Sequence, residues 1–448
     1  MSLPRYLQYK DSGAVIVGAV PHHWQMKPVK AVASINDDVL PETTEPTYEL
    51  TYVDIGSVSL GSGIESTETF TFKDAPSRAR RLVRDGDVIV STVRTYLKAI
   101  ASIVEPPENL VVSTGFAIVR PLDMIAPGFA KYALQSPTFV DAVISRSTGV
   151  SYPAINASDL ARIALPVPPR DEQSAIASFL NRETSKIDSL IAEQEKLLKL
   201  LAEKRQATIS HAVTHGLNPD VPMKDSGVAW LGNVPAHWRV VPLKRLLADV
   251  KAGPFGSALT KEMYVSSGYR VYGQEQVIPA DFSIGDYYID DSKYRELQQY
   301  SVRGGDILIS CVGTFGKIAI VPENVEPGII NPRLIRVRVG ASLSGRYLEA
   351  VLRSSVVFEQ LSMVSRGGTM DVINIGTLNA VTLAVPPMRE QEGLLAFLDE
   401  ETTKLDQLKS EAENAIDLLK ERRGALISAA VTGKIDVREH ASALAAAA

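Results

Sequence analysis

Two loops carry the side chains best suited to holding a phosphate or a base edge. Ser91-Thr92-Val93-Arg94-Thr95-Tyr96-Leu97-Lys98 is matched later by Ser310-Cys311-Val312-Gly313-Thr314-Phe315-Gly316-Lys317. Each follows a short apolar run and offers hydroxyl, cationic and backbone N–H donors, the inventory phosphate oxygens accept from. A second pair, Arg146-Ser147-Thr148-Gly149 and Ser365-Arg366-Gly367-Gly368-Thr369, follows segments of helical pattern. The candidate contacts are Arg94, Thr95, Tyr96, Lys98, Arg146, Ser147 and Thr148 in the first half. In the second they are Gly313, Thr314, Lys317, Arg366, Gly367, Gly368 and Thr369. Arg333, Arg336 and Arg338 add cationic character there. The competing reading is of well-formed turns bearing solvated charges.

Other chemistry is sparse. Gly313-Thr314-Phe315-Gly316-Lys317-Ile318 lacks the spacing and final hydroxyl of a nucleotide-binding loop. Val167-Pro168-Pro169-Arg170 is not the Asn/Asp-Pro-Pro-aromatic tetrad of an amino-methyltransferase. Pro219-Asp220 lacks a nuclease's downstream acid-x-Lys. His211 and His215 have the i, i+4 spacing of a zinc pair, but a zinc protease's intervening Glu is missing and their repeat positions are Ala429 and Gly433. No catalytic group, metal site or cofactor is assigned. His23-Trp24 and His237-Trp238 read as packed indoles with hydrogen-bonded imidazoles, and Cys311 as a small core residue.

The elements that must position these loops come in duplicate. Asp11-Ser12-Gly13, Gly18, Val20, Pro21, His23, Trp24, Pro28 and Lys30 return 214 residues later as Asp225-Ser226-Gly227, Gly232, Val234, Pro235, His237, Trp238, Pro242 and Lys244. Val167-Pro168-Pro169…Glu172-Gln173 returns 218 residues later as Val385-Pro386-Pro387…Glu390-Gln391. Asp87–Ser91 and Asp306–Ser310 read as buried strands. Leu110–Val112, Phe116–Val119, Gly328–Ile330 and Leu334–Val337 are further strands, and Phe129–Ile144 and Tyr347–Val364 carry a helical period. With 448 residues, two or more cores are expected. The net charge of −5 argues against nucleic-acid binding by the whole surface, though not by local patches. No apolar run approaches a membrane span, and a lone cysteine fits a reducing cytosol.

Each Pro-Pro pair opens a long helical period bounded behind by Gly216 or Gly433. The pairing seam reads Ile176, Leu180, Ile187, Leu190, Gln194, Leu197, Leu201 and, in the second copy, Leu394, Leu398, Leu405, Leu408, Ala412, Ala415, Leu419, with Glu183 and Glu401 in one slot. The expected fold is α+β. Two pseudo-repeated mixed α/β blocks are joined by two long antiparallel coiled-coil helices with pseudo-twofold symmetry. Residues 10–30 should then pack beside the end of the second helix. The boundaries are 1–169, first block; 170–216, first helix; 217–387, linker and second block; 388–434, second helix; and 435–448, a low-complexity tail.

This pattern resembles the specificity (S) subunit of type I restriction–modification systems. The resemblance rests on Gly305-Asp306-Ile307-Leu308-Ile309-Ser310…Gly313-Thr314…Gly316-Lys317 and on the Val-Pro-Pro-x-x-Glu-Gln segments. The helix ends, Glu203-Lys204-Arg205-Gln206-Ala207 and Glu421-Arg422-Arg423-Gly424-Ala425, and the linker Asn218-Pro219-Asp220 contribute too. It departs where Arg94 and Leu97 stand for Gly313 and Gly316. The resemblance implies two target recognition domains, each reading half of a split, asymmetric site in double-stranded DNA. It implies a non-catalytic cytoplasmic chain whose helices act as ruler and as dock for two methyltransferase (M) subunits bringing S-adenosylmethionine, with restriction (R) subunits in the full complex. Half-sites about one to two duplex turns apart would follow. The halves differ most in 31–79 and 251–300, which suits unequal half-sites. Alternatives are a coiled-coil protein-binding scaffold without DNA recognition, and an enzyme with an unrecognised site.

Overall fold

Strand Val88–Ser91 has both faces buried, which is why its sequence is uninterrupted apolar rather than alternating. Val88 and Val90 face a core shared with helices, while Ile89 faces the opposite core with Val53 and Phe116. The computed structural model describes residues 4–311, 317–357, 359–360 and 373–439. Val88–Ser91 lies between Ile100–Ser102 and Phe116–Pro121, and Ala33–Ile35 extends the sheet beyond the latter. A second sheet orders Glu68–Thr71, Glu49–Val53, Leu110–Ser113 and Ala79–Leu82, with the middle two parallel.

The later half repeats this topology strand for strand. Ile318–Ile320, Ile307–Ser310, Leu334–Val339 and Leu247–Ala252 form one sheet. Tyr288–Ile289, Tyr269–Tyr272, Gly328–Ile330 and Ser301–Val302 form the other, again with a parallel middle pair. The divergent stretches differ in what decorates these strands. The first half inserts the hairpin Val58–Ser59/Gly63–Ile64. The second inserts helices Gln274–Val277 and Asp291–Glu296, the latter stacking Tyr294 on Tyr269 at 3.8 Å.

By contacts the chain forms two units, Met1–Glu195 with Asn414–Ala448, and Lys196–Glu413. Each contains part of both long helices, Arg170–His215 and Met388–Val431. In the first unit Arg423 pairs with Asp188 at 2.9 Å, and in the second Arg205 pairs with Asp406. Asp188 and Arg205 shifted by 218 are Asp406 and Arg423, so one ion pair occurs twice from equivalent residues. In the second unit Ile209, Ala212 and Val213 share a core with Leu394 and Leu398. Together with Arg205 on Asp406, this makes the helix segments antiparallel. Ile427, Ala430 and Val431 likewise join Ile176 and Leu180 in the first unit.

The seam departs from the sequence expectation at three leucines. Ile176, Leu180, Ile187, Leu201, Leu394, Leu398 and Leu405 are buried and Leu419 is half-buried, but Leu190, Leu197 and Leu408 are exposed. A stripe of buried residues (Thr184, Ile187, Leu201; Leu405, Ala412, Ile416) and half-buried ones (Ile191, Gln194, Leu198; Thr402, Leu419) runs along the two helices. Doublets such as Leu190-Ile191 and Leu197-Leu198 fit either phase, and packing against the partner selects one. Glu183 and Glu401 lie beside the stripe, bonded to Lys186 and Lys404.

The repeated Glu-Gln pair has a mechanical explanation. Trp24 and Trp238 are fully buried, and their indole N–H groups donate to Glu172 and Glu390, both at 2.9 Å. His23 and His237 contact the same carboxylates at 2.6 and 2.8 Å. Gln173 donates to the Pro168 and Met124 carbonyls and accepts from Ala126 N–H; Gln391 does the same with Pro386, Ser342 and Ser344. Each long helix is thereby latched to its block at its first turn. Gly216 and Gly433, at φ +77° and +70°, end the helices, and a Cβ on Gly433 would lie 2.3 Å from Pro21.

Two further expectations change. Phe129–Ile144 is not one helix but two, Pro127–Gln135 and Pro137–Ser145, because Pro137 cannot continue the first and Ser136 caps the second. Part of the assigned tail is packed. Val437 is fully buried, Asp436 N–H donates to Pro4 O at 2.8 Å, and Arg438 lies over the Tyr6 ring. Residues 10–30 do pack at the end of the second helix, where the neighbouring Tyr9 hydroxyl donates to Gly433 O at 2.9 Å.

Candidate nucleic-acid interface

In the first unit the two candidate loops form one body. Past strand Val88–Ser91, Thr92 Oγ1 donates to Gly115 O and Ser91 Oγ to Val93 O, bending the chain out of the sheet. A single 3-10 turn, Thr95–Leu97, is flanked by two left-handed residues, Arg94 at φ 51° and Lys98 at φ 52°. Thr95 Oγ1 donates to Ser147 Oγ at 2.8 Å, and Ser147 Oγ to Val143 O at 2.8 Å. Thr148 and Ala154 exchange reciprocal backbone bonds at 2.9 Å, and Ile155 N–H reaches Thr92 O.

This geometry sorts the expected contacts. Thr95 is 3 % exposed and, with half-buried Ser147, joins the two loops. Arg94, Tyr96, Lys98, Arg146 and Thr148 are exposed around them. Among the described residues no carboxylate ion-pairs with Arg94, Lys98 or Arg146. The sequence reading missed Tyr152, 66 % exposed, whose ring carries the Arg94 guanidinium at 5.2 Å. Its signal was an aromatic in the turn Gly149-Val150-Ser151-Tyr152-Pro153.

In the second unit, Lys317 is exposed beside the equivalent sheet edge, and its carbonyl accepts Ser310 N–H. Gly313, Thr314, Arg366, Gly367, Gly368 and Thr369 lie outside the described residues. Gln274, also missed, donates to Ser310 Oγ at 2.7 Å and accepts from exposed Arg333 at 3.4 Å. Arg336 and Arg338 are not surface cations. Arg336 is 1 % exposed and bonds Asp249, while Arg338 grips Asp306 through two bonds of 2.7 and 3.0 Å. The first unit repeats the device, with Arg120 on Asp87 at 2.9 and 2.8 Å and on Asp38. Hydrogen bonding to Arg120 holds the Asp38 carboxyl below its ordinary range. Cys311 is buried, and burial pushes its thiol pKa up.

The His211 and His215 rings stack at 4.9 Å, and His215 Nδ1 lies 2.7 Å from Thr214 Oγ1. Burial, then the neighbouring His211, lower the His215 pKa. Among the described residues, no group of three or more His, Cys, Asp or Glu side chains could hold a metal ion, and no helix is long and apolar enough to cross a membrane.

Comparison with known proteins agrees with this duplicated plan. A family described as "Type I restriction modification DNA specificity domain" matches residues 22–199 and 257–417. The type I restriction enzyme EcoBI specificity subunit of Escherichia coli is 23% identical over 421 residues, covering 84% of this chain and 85% of its own length. The putative type I restriction enzyme MjaX specificity subunit of Methanocaldococcus jannaschii is 21% identical over 442 residues, covering 94% and 96%. A solved chain from work on assembly and conformational transition of the type I R-M system superposes with a TM-score of 0.70 at 23% identity, covering 92% of this chain and 99% of that one. With its two matched stretches, its duplicated sheets and its paired helices, the chain belongs to the type I restriction–modification DNA specificity family, as a specificity subunit.

Proposed function

We propose that the chain reads a bipartite, asymmetric site in double-stranded DNA, one half through each unit, and contributes no catalytic group of its own. The observation that carries this is the pair of like sheets whose loop ends bear unlike side chains. Around Arg94, Tyr96, Lys98 and Arg146 the first unit offers exposed cations, without a carboxylate partner among the described residues, and an aromatic. The second offers Lys317 and Arg333 at the equivalent edge. Cations there supply phosphate affinity, and unlike side chains read unlike bases. The functional partition follows the boundaries 1–169, 170–216, 217–387 and 388–434.

Two methyltransferase subunits, bringing S-adenosylmethionine, would dock on the long helices. Leu190 and Leu418 in the first unit, and Leu197, Leu200 and Leu408 in the second, are exposed beside the buried stripe and offer an apolar face to a partner helix. Restriction subunits complete the assembly, and the setting is the cytoplasm. Methylation-sensitive sequencing of DNA from cells carrying the intact system tests the reading. Two fixed half-sites with a constant gap are expected; methylation without a split motif would overturn it. Adding one helical turn to each long helix, near Lys199 and its equivalent Asp417, should lengthen the gap and leave both half-sites unchanged.

A further inference from the structure

Loop 92–98 holds two of the described non-glycine residues at positive φ, and both are long, exposed cations, Arg94 and Lys98. A turn needing that backbone alone would be cheaper with glycine, the residue the second half has at 313 where the first has Arg94. Strain kept at a surface position points to a use for the side chain. Arg94 has a defined posture as well. Its guanidinium lies over Tyr152 at 5.2 Å, on a loop bonded to its own through Thr95–Ser147 and Ile155–Thr92. Beyond it Val150 and Tyr152 stand out, fully and 66 % exposed, on a turn held by Gly149 at φ +108°.

We infer that Arg94, braced by Tyr152, is the base-reading side chain of the first unit and that it selects a guanine. This rests on the DNA-reading function proposed above and deepens it. A guanidinium held over a ring loses rotational freedom, which favours presenting the two parallel N–H donors that match guanine O6 and N7 in the major groove. A lysine could not present that fork. Lys98 and Arg146, with no aromatic brace among the described residues, contact phosphates instead. Tyr152 is a positioning residue; its ring, not its hydroxyl, supports Arg94.

The test uses the complex with its methyltransferase subunits and duplexes carrying the wild-type site. Each guanine of one half-site is replaced in turn by 7-deazaguanine, which lacks the N7 acceptor, or by the other bases. For the unaltered complex, one guanine position should cost roughly tenfold or more in affinity when changed. Arg94→Gly, which also relieves the backbone, should bind the intact site more weakly and lose discrimination at that position alone. Tyr152→Phe should keep the discrimination and Tyr152→Leu reduce it. Equal weakening on every duplex, or discrimination unchanged in Arg94→Gly, overturns the inference, as does a first half-site without guanine. If the unaltered complex shows no preferred sequence, the DNA-reading function itself falls.

Discussion

Replacing Gln391 with leucine removes one latch while keeping most of its volume. The side chain is fully buried and holds three backbone groups, donating to the Pro386 and Ser342 carbonyls and accepting from Ser344 N–H at 2.8 to 3.1 Å. A net hydrogen bond contributes about 1 kcal/mol, and a buried group left unpaired costs about 1–3 kcal/mol. Water can reach part of the Ser342–Ser344 turn, so a local loss of ~3 kcal/mol is expected rather than the full sum. Since about 1.4 kcal/mol is tenfold, the Ser344 amide should exchange its hydrogen on the order of a hundredfold faster. Hydrogen-exchange mass spectrometry of the full chain reads this in peptides spanning 340–348. Gln173→Leu should do the same around Ala126, while peptides over 340–348 keep their protection. Exchange changed by less than about threefold in both variants would refute the latch.

Other outcomes follow from the same contacts. Arg338→Leu removes two hydrogen bonds from the buried Asp306 carboxylate, which keeps the Arg303 N–H and Arg336 at 4.0 Å, and should lower stability by about 1–3 kcal/mol, measured by denaturant unfolding. Leu190→Ser and Leu408→Ser should leave stability within about 0.5 kcal/mol, whereas Ile187→Ala should cost about 2–4 kcal/mol. Pull-down of methyltransferase subunits should fall only in the first two. The Asp436 carboxyl is held below its usual range, chiefly by its hydrogen bond to Arg438. A depressed carboxyl stabilises the fold above its unfolded pKa, and that contribution is lost as pH falls through the folded value. Protection of segment 434–438 should therefore weaken below about pH 4, and Asp436→Asn should abolish that dependence.

What the sequence made legible was whatever repeats or has a fixed period. The strands Val88–Ser91 and Ile307–Ser310, the buried indoles of Trp24 and Trp238, and the glycine stops all declare themselves locally. The exposure of Leu190 and Leu197 did not, because their apolar neighbours Ile191 and Leu198 suit the seam equally well and only the partner surface separates them. Nor did the fate of Arg336 and Arg338: their partners Asp249 and Asp306 lie 87 and 32 residues away in sequence. Likewise Thr95 and Ser147 look like surface hydroxyls until the fold brings them together across 52 residues. Tyr152 was overlooked because an aromatic in a turn has no meaning until something lies upon it.

The core of the first unit draws Ile427, Ala430, Val431 and Val437 from the far end of the chain, while the second unit is one uninterrupted stretch, Lys196–Glu413. During synthesis, the half that emerges earliest must wait for more than two hundred further residues before its hydrophobic face is covered. At roughly 5–20 residues per second that is a delay of about 10–50 s, with Trp24 and Ile176 open to water or to a chaperone. The later half needs no such interval, so folding finishes in the reverse of the order in which the ribosome began.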